Sequence, residues 1–171
     1  MKTRVLVLAA VALIFTAFTA SAQTGTWTAV GSTGTVDPTQ VALFGVFGGT
    51  RLGFNPAGSS ASNILVARYN VTNTWGGGAK DNPAWTTLEL GALNGSIFDP
   101  VSATLYRVDP CTGNRTAICT ATNTLNSSTG TCVSCTFANN VFNFANFLYY
   151  VEVSITRTDA SSPQVATLRI K

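Results

Sequence analysis

"FLYYVEVSIT", residues 147–156, alternates along its length between two sets of side chains. Successive side chains of a β-strand point to opposite faces of the sheet, so every second residue shares a face. One face receives Phe147, Tyr149, Val151, Val153 and Ile155, and the other receives Leu148, Tyr150, Glu152, Ser154 and Thr156. The first set is apolar and the second is mixed, which predicts a strand that is buried on one side only.

The same period of two recurs along the chain. It is clear in "NILVARYNVT", "VSATLYRVD" and "VATLRI", and weaker in "GTWTAV", "VALFGVF", "WTTLEL", "RTAICTA" and "CTFANNVFNF". Turn residues separate these segments, which gives about eight or nine short strands, and no segment after Ala22 has a helical period. The pattern predicts an all-β fold, an antiparallel two-sheet sandwich of the jelly-roll-like or Ig-like kind.

The N-terminus has the features of a secretory signal peptide. Lys2 and Arg4 precede an apolar run from residue 5 to residue 20, and the run ends in the small residues Ala20, Ser21 and Ala22. We expect cleavage after Ala22, which leaves residues 23–171 as a single domain of ordinary size. The expected location is secreted, either extracellular or periplasmic.

The charge pattern excludes two classes of partner. Without Lys2 and Arg4, eight basic residues stand against seven acidic ones, and no Lys/Arg cluster is left. Nucleic acid binding depends on such clusters, so nucleic acid is not expected as a partner. A second apolar run of spanning length is absent from the sequence, so no membrane insertion of the mature chain is expected.

The residue inventory also restricts catalysis. The chain contains no histidine, which excludes Ser-His and Cys-His nucleophile pairs and histidine-based zinc sites. Three of the seven carboxylates, Asp37, Asp99 and Asp109, each precede a proline and are interpreted as turn residues. The chain is therefore expected to be non-catalytic, with no cofactor.

A carboxylate-dependent hydrolase remains as an alternative. It would draw its two carboxyl groups from Asp81, Glu89, Glu152 and Asp159. Glu89 and Glu152 alternate with apolar neighbours in predicted strands, so we interpret them as solvent-facing rather than as a catalytic pair.

The four cysteines all fall within residues 109–137. Their spacing is C-x7-C-x12-C-x2-C, and only Cys132 and Cys135 have the close spacing of a metal-binding knuckle. In an exported chain an even number of cysteines predicts disulfides, with no metal site. If the segment is a hairpin, Cys119 approaches Cys132 and Cys111 approaches Cys135, and this nested pairing is our prediction.

The loop "NTWGGGAKDNPAW", residues 73–85, is the candidate ligand site. Aromatic rings cover the apolar face of a sugar while polar side chains bond its hydroxyls. The loop supplies both types of group, in Trp75, Lys80, Asp81, Asn82 and Trp85. The alternative interpretation is that both tryptophans end strands and anchor the core, and this alternative is the favoured one.

Three hypotheses for function follow. The first is a secreted structural or adhesive module, whose partner is another surface protein or a second copy of itself. The second is a carbohydrate-binding module that uses the loop from Trp75 to Trp85. The third is the carboxylate-dependent hydrolase.

Overall fold

The computed structural model describes residues 25–55, 63–73, 82–94, 96–158 and 161–171. The expected signal peptide, residues 1–22, lies outside this part of the chain. Two short 3-10 turns, Gly31–Thr33 and Pro38–Leu43, occur between the first strands. The strands are β1 (Trp27–Val30), β2 (Thr35–Val36), β3 (Phe44–Phe47), β4 (Arg51–Phe54), β5 (Asn63–Val71), β6 (Thr87–Asn94), β7 (Val101–Val108), β8 (Arg115–Asn123), β9 (Ser127–Thr136), β10 (Leu148–Arg157) and β11 (Gln164–Ile170).

The strands form two antiparallel sheets. Sheet A has the order β3-β4-β11-β6-β9, with β1 paired beside β11, and sheet B has the order β2-β5-β10-β7-β8. The predicted antiparallel sandwich is therefore confirmed. The described residues contain eleven strands rather than eight or nine, since β2, which has only two residues, and β4 were not predicted. The predicted segment "CTFANNVFNF" overlaps β9 only at Cys135 and Thr136, and the rest of it is not a strand. No helix in the described residues is long and apolar enough to cross a membrane.

The strand of residues 147–156 lies at the centre of sheet B, where β10 is paired with β5 on one side and with β7 on the other. Tyr149, Val151, Val153 and Ile155 are all buried, as the alternation predicts. The inward residues of sheet A close the core from the opposite side, including Leu52, Leu88, Leu90, Val165, Leu168 and Ile170. Burial of these apolar surfaces is the main force that holds the two sheets together.

The cysteine-rich segment differs from the expected hairpin. β8 pairs with β7 in sheet B, whereas β9 pairs with β6 in sheet A, so the two strands are not hydrogen-bonded to each other. The disulfide joins Cys119 to Cys135, with a Cα–Cα distance of 6.0 Å, and Cys111 and Cys132 are exposed free thiols. The predicted pairing of Cys119 with Cys132 and of Cys111 with Cys135 is therefore wrong.

The alternation of side chains along a strand explains why Cys119 pairs with Cys135 and not with Cys132. Cys119 lies opposite Leu105 and Cys135 lies opposite Leu88, both of which are core residues, so the two sulfurs face each other across the gap between the sheets. Cys132 is three residues from Cys135 and so points to the other side of its strand. The bond is a tie between the sheets.

The carboxylates before proline divide into two kinds. Asp37 accepts from the backbone N–H of Thr39, and Asp109 accepts from that of Cys111, so both are local turn residues as predicted. Hydrogen bonds from the hydroxyl and then the backbone N–H of Thr39 hold the pKa of Asp37 below its usual range, and those from the backbone N–H groups of Thr112 and Cys111 do the same for Asp109. Asp99 is buried instead and accepts from the backbone N–H of Thr158 at 2.6 Å.

Candidate functional site

The structure describes only part of the loop proposed as the ligand site. Trp75, Lys80 and Asp81 lie outside the described residues, and Asn82 is exposed. Trp85 is only 1% exposed, and its indole N–H donates to the backbone carbonyl of Gly25. A ring that is enclosed in the core cannot stack on a sugar, so the expectation that Trp85 contacts a ligand is corrected. The alternative interpretation of Trp85, as an anchor of the core, agrees with this burial.

Trp85 belongs to an aromatic cluster at one end of the core. The ring of Phe142 lies 4.9 Å from that of Trp85, edge to face, and the ring of Tyr149 lies 4.7 Å from that of Phe142. Phe144 contacts the same rings, at 5.6 Å from Phe142 and 4.9 Å from Tyr149. Such edge-on, tilted and stacked contacts add to the free energy gained by burying each ring.

A different set of aromatic and polar side chains lies on the outer surface of sheet B. We call it the tyrosine face and define it by Arg68 and Asn70 on β5, Tyr106 on β7, Arg115 on β8, and Tyr150 and Glu152 on β10. The register of β5, β10 and β7 aligns Asn70, Tyr150 and Tyr106 in one row across the sheet. The next row contains Arg68, Glu152 and Thr104.

The two tyrosine rings of this face lie against each other. Their centroids are 5.1 Å apart with an angle of 19° between the planes. The guanidinium of Arg115 lies 4.9 Å from the centroid of Tyr106 and donates to the Tyr150 hydroxyl at 3.2 Å. Tyr150 therefore keeps one ring face directed away from Tyr106, on the side of its cross-strand neighbour Asn70.

Glu152 holds the charged groups of the tyrosine face in place. Its Oε2 accepts from Arg68 Nε at 2.8 Å and lies 3.5 Å from Arg115 Nη1. The arginine side chains are about half exposed (48% and 54%), whereas that of Glu152 is 18% exposed. Exposed ion pairs contribute little to stability, so the effect of this network is mainly to fix two guanidinium groups at the surface. One carboxylate between two arginines leaves an excess of positive charge.

A shallow cleft adjoins the tyrosine face at the edge of the sandwich. Its lining includes β1, Thr33 and Thr35, and also Arg68 and Asn70 of the tyrosine face. On the side of sheet A the cleft reaches Gly91, where a Cβ atom would collide with Oγ1 of Thr167. A larger side chain at this position would not fit beside Thr167 without a shift of the threonine.

Glu89 lies at the sheet A end of this cleft. Its carboxylate bonds Lys171 and Arg169, and these hydrogen bonds, that of Lys171 first, hold the pKa of Glu89 below its usual range. Glu89 and Glu152 belong to different sheets, and arginine side chains bond both of them. They do not form the pair that the hydrolase hypothesis needs, and Asp81 and Asp159 lie outside the described residues. In the described ranges, no group of three or more His, Cys, Asp or Glu side chains is placed to hold a metal ion.

This chain is similar to known proteins in its fold, and not in its sequence. No protein-family model matches the chain, and no curated protein matches its sequence. A solved structure of a carbohydrate-binding module, CBM36 in complex with calcium and xylotriose, is 7% identical over 85% of this chain and 99% of its own length, with a TM-score of 0.49. The CBM36-1 domain of a multidomain xylanase from the hindgut metagenome of Trinervitermes trinervoides is 10% identical over 86% and 97%, with a TM-score of 0.50.

The CBM36-1 domain and this chain share a β-sandwich fold. At 10% identity the likeness concerns the fold alone. It is in agreement with the two antiparallel sheets described above.

The tyrosine face was not predicted as a site from the sequence. The alternation already placed Tyr150 and Glu152 on the outer surface of their strand, and that was the one signal present in the sequence. Arg68, Tyr106 and Arg115 precede Tyr150 by 82, 44 and 35 residues in the chain, and only the sheet register brings them together. Register between distant strands cannot be read from alternation, which fixes only the face.

Proposed function

We propose that this domain is a non-catalytic carbohydrate-binding module that binds glycan on the tyrosine face. One observation carries the proposal: Tyr150 has a ring face directed away from Tyr106, with Asn70 and Arg68 beside it on β5. An aromatic ring covers the apolar face of a pyranose, and this contact needs no charge on the sugar.

The polar groups around Tyr150 match the hydroxyl groups of a sugar. Asn70 can donate and accept, Arg68 and Arg115 can only donate, and Glu152 can accept. The ion pairs hold Arg68, Arg115 and Glu152 in place before a ligand arrives, which lowers the entropic cost of ordering these three side chains on binding. The cleft beside β1 extends the polar surface from Asn70 towards Thr33 and Thr35, so a linear glycan has room to continue past one residue.

The fold neighbour supports the choice of ligand class. The CBM36-1 domain is by its name a carbohydrate-binding module, and it has the same sandwich scaffold. Because one fold hosts many functions, the proposal depends on the side chains of the tyrosine face. Secretion, and a contribution of Trp75, Lys80, Asp81 and Asn82 to binding, remain predictions from the sequence.

Retention on a glycan array followed by calorimetry tests the proposal. Tyr150→Ala should weaken binding about tenfold or more, which corresponds to about 1.4 kcal/mol, while the melting temperature stays close to that of the wild type. Phe98→Ala is the matched control, because Phe98 is an aromatic residue that is 69% exposed in the loop between β6 and β7. A wild-type domain that binds no glycan, or an equal loss in Phe98→Ala, would refute the proposal.

A further inference from the structure

β9 forms an open edge of sheet A. Within the described residues it pairs with β6 on one side, and it ends the strand order of the sheet. The pairing is regular from Thr131 to Thr136, opposite Ala92 to Thr87. A strand at a sheet edge presents a row of backbone N–H and C=O groups to any further strand that approaches.

Proteins usually protect such edges, and the other edge strands in the described part of the chain are protected. β1 and β3 have four residues each and β2 has two, so each offers little backbone. β8 begins at the charged Arg115, and its pairing with β7 contains a register shift between Leu105 and Tyr106. Short length, charge and bulges are the devices that prevent pairing between edges.

β9 has almost none of these devices. It is ten residues long, "SSTGTCVSCT", and contains no charged residue and no proline. Its one irregularity, the register shift opposite Ala92 and Asn94 beside Gly130 with φ of +87°, is confined to the first half of the strand. The six residues from Thr131 to Thr136 are therefore a regularly paired and uncharged edge.

We propose that β9 is the interface between two copies of this chain, which pair through Thr131–Thr136 in antiparallel orientation and join their A sheets into one. A twofold axis makes the two sides of such an interface identical, so a strand must be compatible with itself. Hydroxyl side chains satisfy this requirement, because Ser134 and Thr136 bring no like charges together.

The disulfide prepares this edge for pairing. Cys135 is linked to Cys119 of sheet B, which ties the second half of β9 to the opposite sheet. A strand that is already ordered loses less conformational entropy when another strand joins it. The exposed free thiol of Cys132 lies in the same six residues, so it is accessible to a second chain that approaches this edge.

Sedimentation over a wide range of protein concentration tests the interface. The wild type should change from monomer to dimer as concentration rises, and Ser134→Lys should remain monomeric, because its exposed position places two lysines near each other across the twofold axis. Thr122→Lys is the matched control: it adds the same charge at an exposed position of β8 and should leave dimerisation unchanged. A monomeric wild type, or the same loss in Thr122→Lys, would overturn the proposal.

Cross-linking gives a second measurement that needs no variant in the hydrogen-bonded edge. A short bismaleimide adds one thiol to each of its two double bonds, so it should link Cys132 of the two copies. Cys111→Ser should keep the cross-linked dimer and Cys132→Ser should lose it. Cross-linking through Cys111 instead would contradict an interface at β9. Neither measurement depends on glycan binding, so a negative result would refute the dimer interface and leave the proposed glycan binding untouched.

Discussion

Tyr149 and Tyr150 are adjacent in the chain and lie in opposite environments. Tyr149 is 3% exposed, and its ring contacts Phe142 and Phe144 in the aromatic cluster of the core. Tyr150 lies on the outer surface of the same strand, against Tyr106 and beside Arg115. One strand thus carries a structural aromatic residue and a candidate binding residue at successive positions.

The hydroxyl groups differ in the same way. That of Tyr149 donates to the carbonyl of Val141 and accepts from the N–H of Asn143, both at 2.8 Å, and burial raises the pKa of Tyr149 above its usual value. That of Tyr150 accepts from an exposed arginine. An aromatic residue type therefore does not by itself indicate a ligand site, because the face of the strand decides whether the ring packs in the core or lies at the surface.

The largest effect on stability is expected from a substitution in the buried aromatic cluster. Trp85→Ala removes the indole that packs on Phe142 and Phe144 and should lower the free energy of unfolding by about 3–5 kcal/mol. Denaturant titration measures the loss. Phe98→Ala, at an exposed aromatic position, should change stability by less than about 0.5 kcal/mol. A loss of glycan binding in Trp85→Ala with unchanged stability would identify Trp85 as a ligand residue and would contradict its assignment to the core.

The cysteines of β9 differ from each other as the two tyrosines do, because Cys135 points inward and forms the disulfide whereas Cys132 is exposed. Replacing the inward pair, Cys119→Ser with Cys135→Ser, opens a loop with a sequence separation of 16 and should cost about 3 kcal/mol of unfolding free energy. Replacing the outward thiols, Cys111→Ser with Cys132→Ser, should cost little, since both are exposed. Thiol counting in the native protein should find two reactive groups. A bridge that includes Cys132 would contradict the assignment of inward and outward faces.

Tyr149→Phe is a smaller and sharper test. It keeps the ring and removes only the hydroxyl, so the carbonyl of Val141 and the N–H of Asn143 each lose a partner. Partly buried groups left without a hydrogen bond should lower the free energy of unfolding by about 1–3 kcal/mol. Chemical unfolding monitored by tryptophan fluorescence gives this value. No change in stability would mean that water replaces the hydroxyl at this position.

The sequence predicts the sandwich because the period of two is a local property. Alternation places Tyr149, Val151 and Val153 in the core and Tyr150 and Glu152 outside, and the structure agrees at each of these positions. It also assigns Leu65, Ala67 and Tyr69 of β5 to one buried face. What could be predicted is therefore which side of its own strand a residue occupies.

The partners across strands could not be predicted. The pairing of cysteines depended on whether the chain from β8 to β9 turns back within one sheet or crosses to the other, and turn residues in "TNTLNSSTG" allow both. The row that unites Asn70, Tyr150 and Tyr106 depends in the same way on the order β5-β10-β7. Strand order results from packing over the whole domain, and no local stretch of sequence contains it.

The smallest effect is expected for Tyr150→Phe, the same change made at the next residue. It removes a hydroxyl whose partner, Arg115, is about half exposed and can bond water instead, so stability should change by less than about 0.5 kcal/mol. The ring remains, and with it the surface proposed to cover a sugar, so glycan affinity should fall severalfold at most and less than in Tyr150→Ala. Calorimetric binding and thermal unfolding of the two phenylalanine variants, measured side by side, separate the roles. If Tyr150→Phe is destabilised as much as Tyr149→Phe, both hydroxyls are structural. The outer face of β10 would then be a second layer of core, and the tyrosine face would no longer be a candidate for ligand binding.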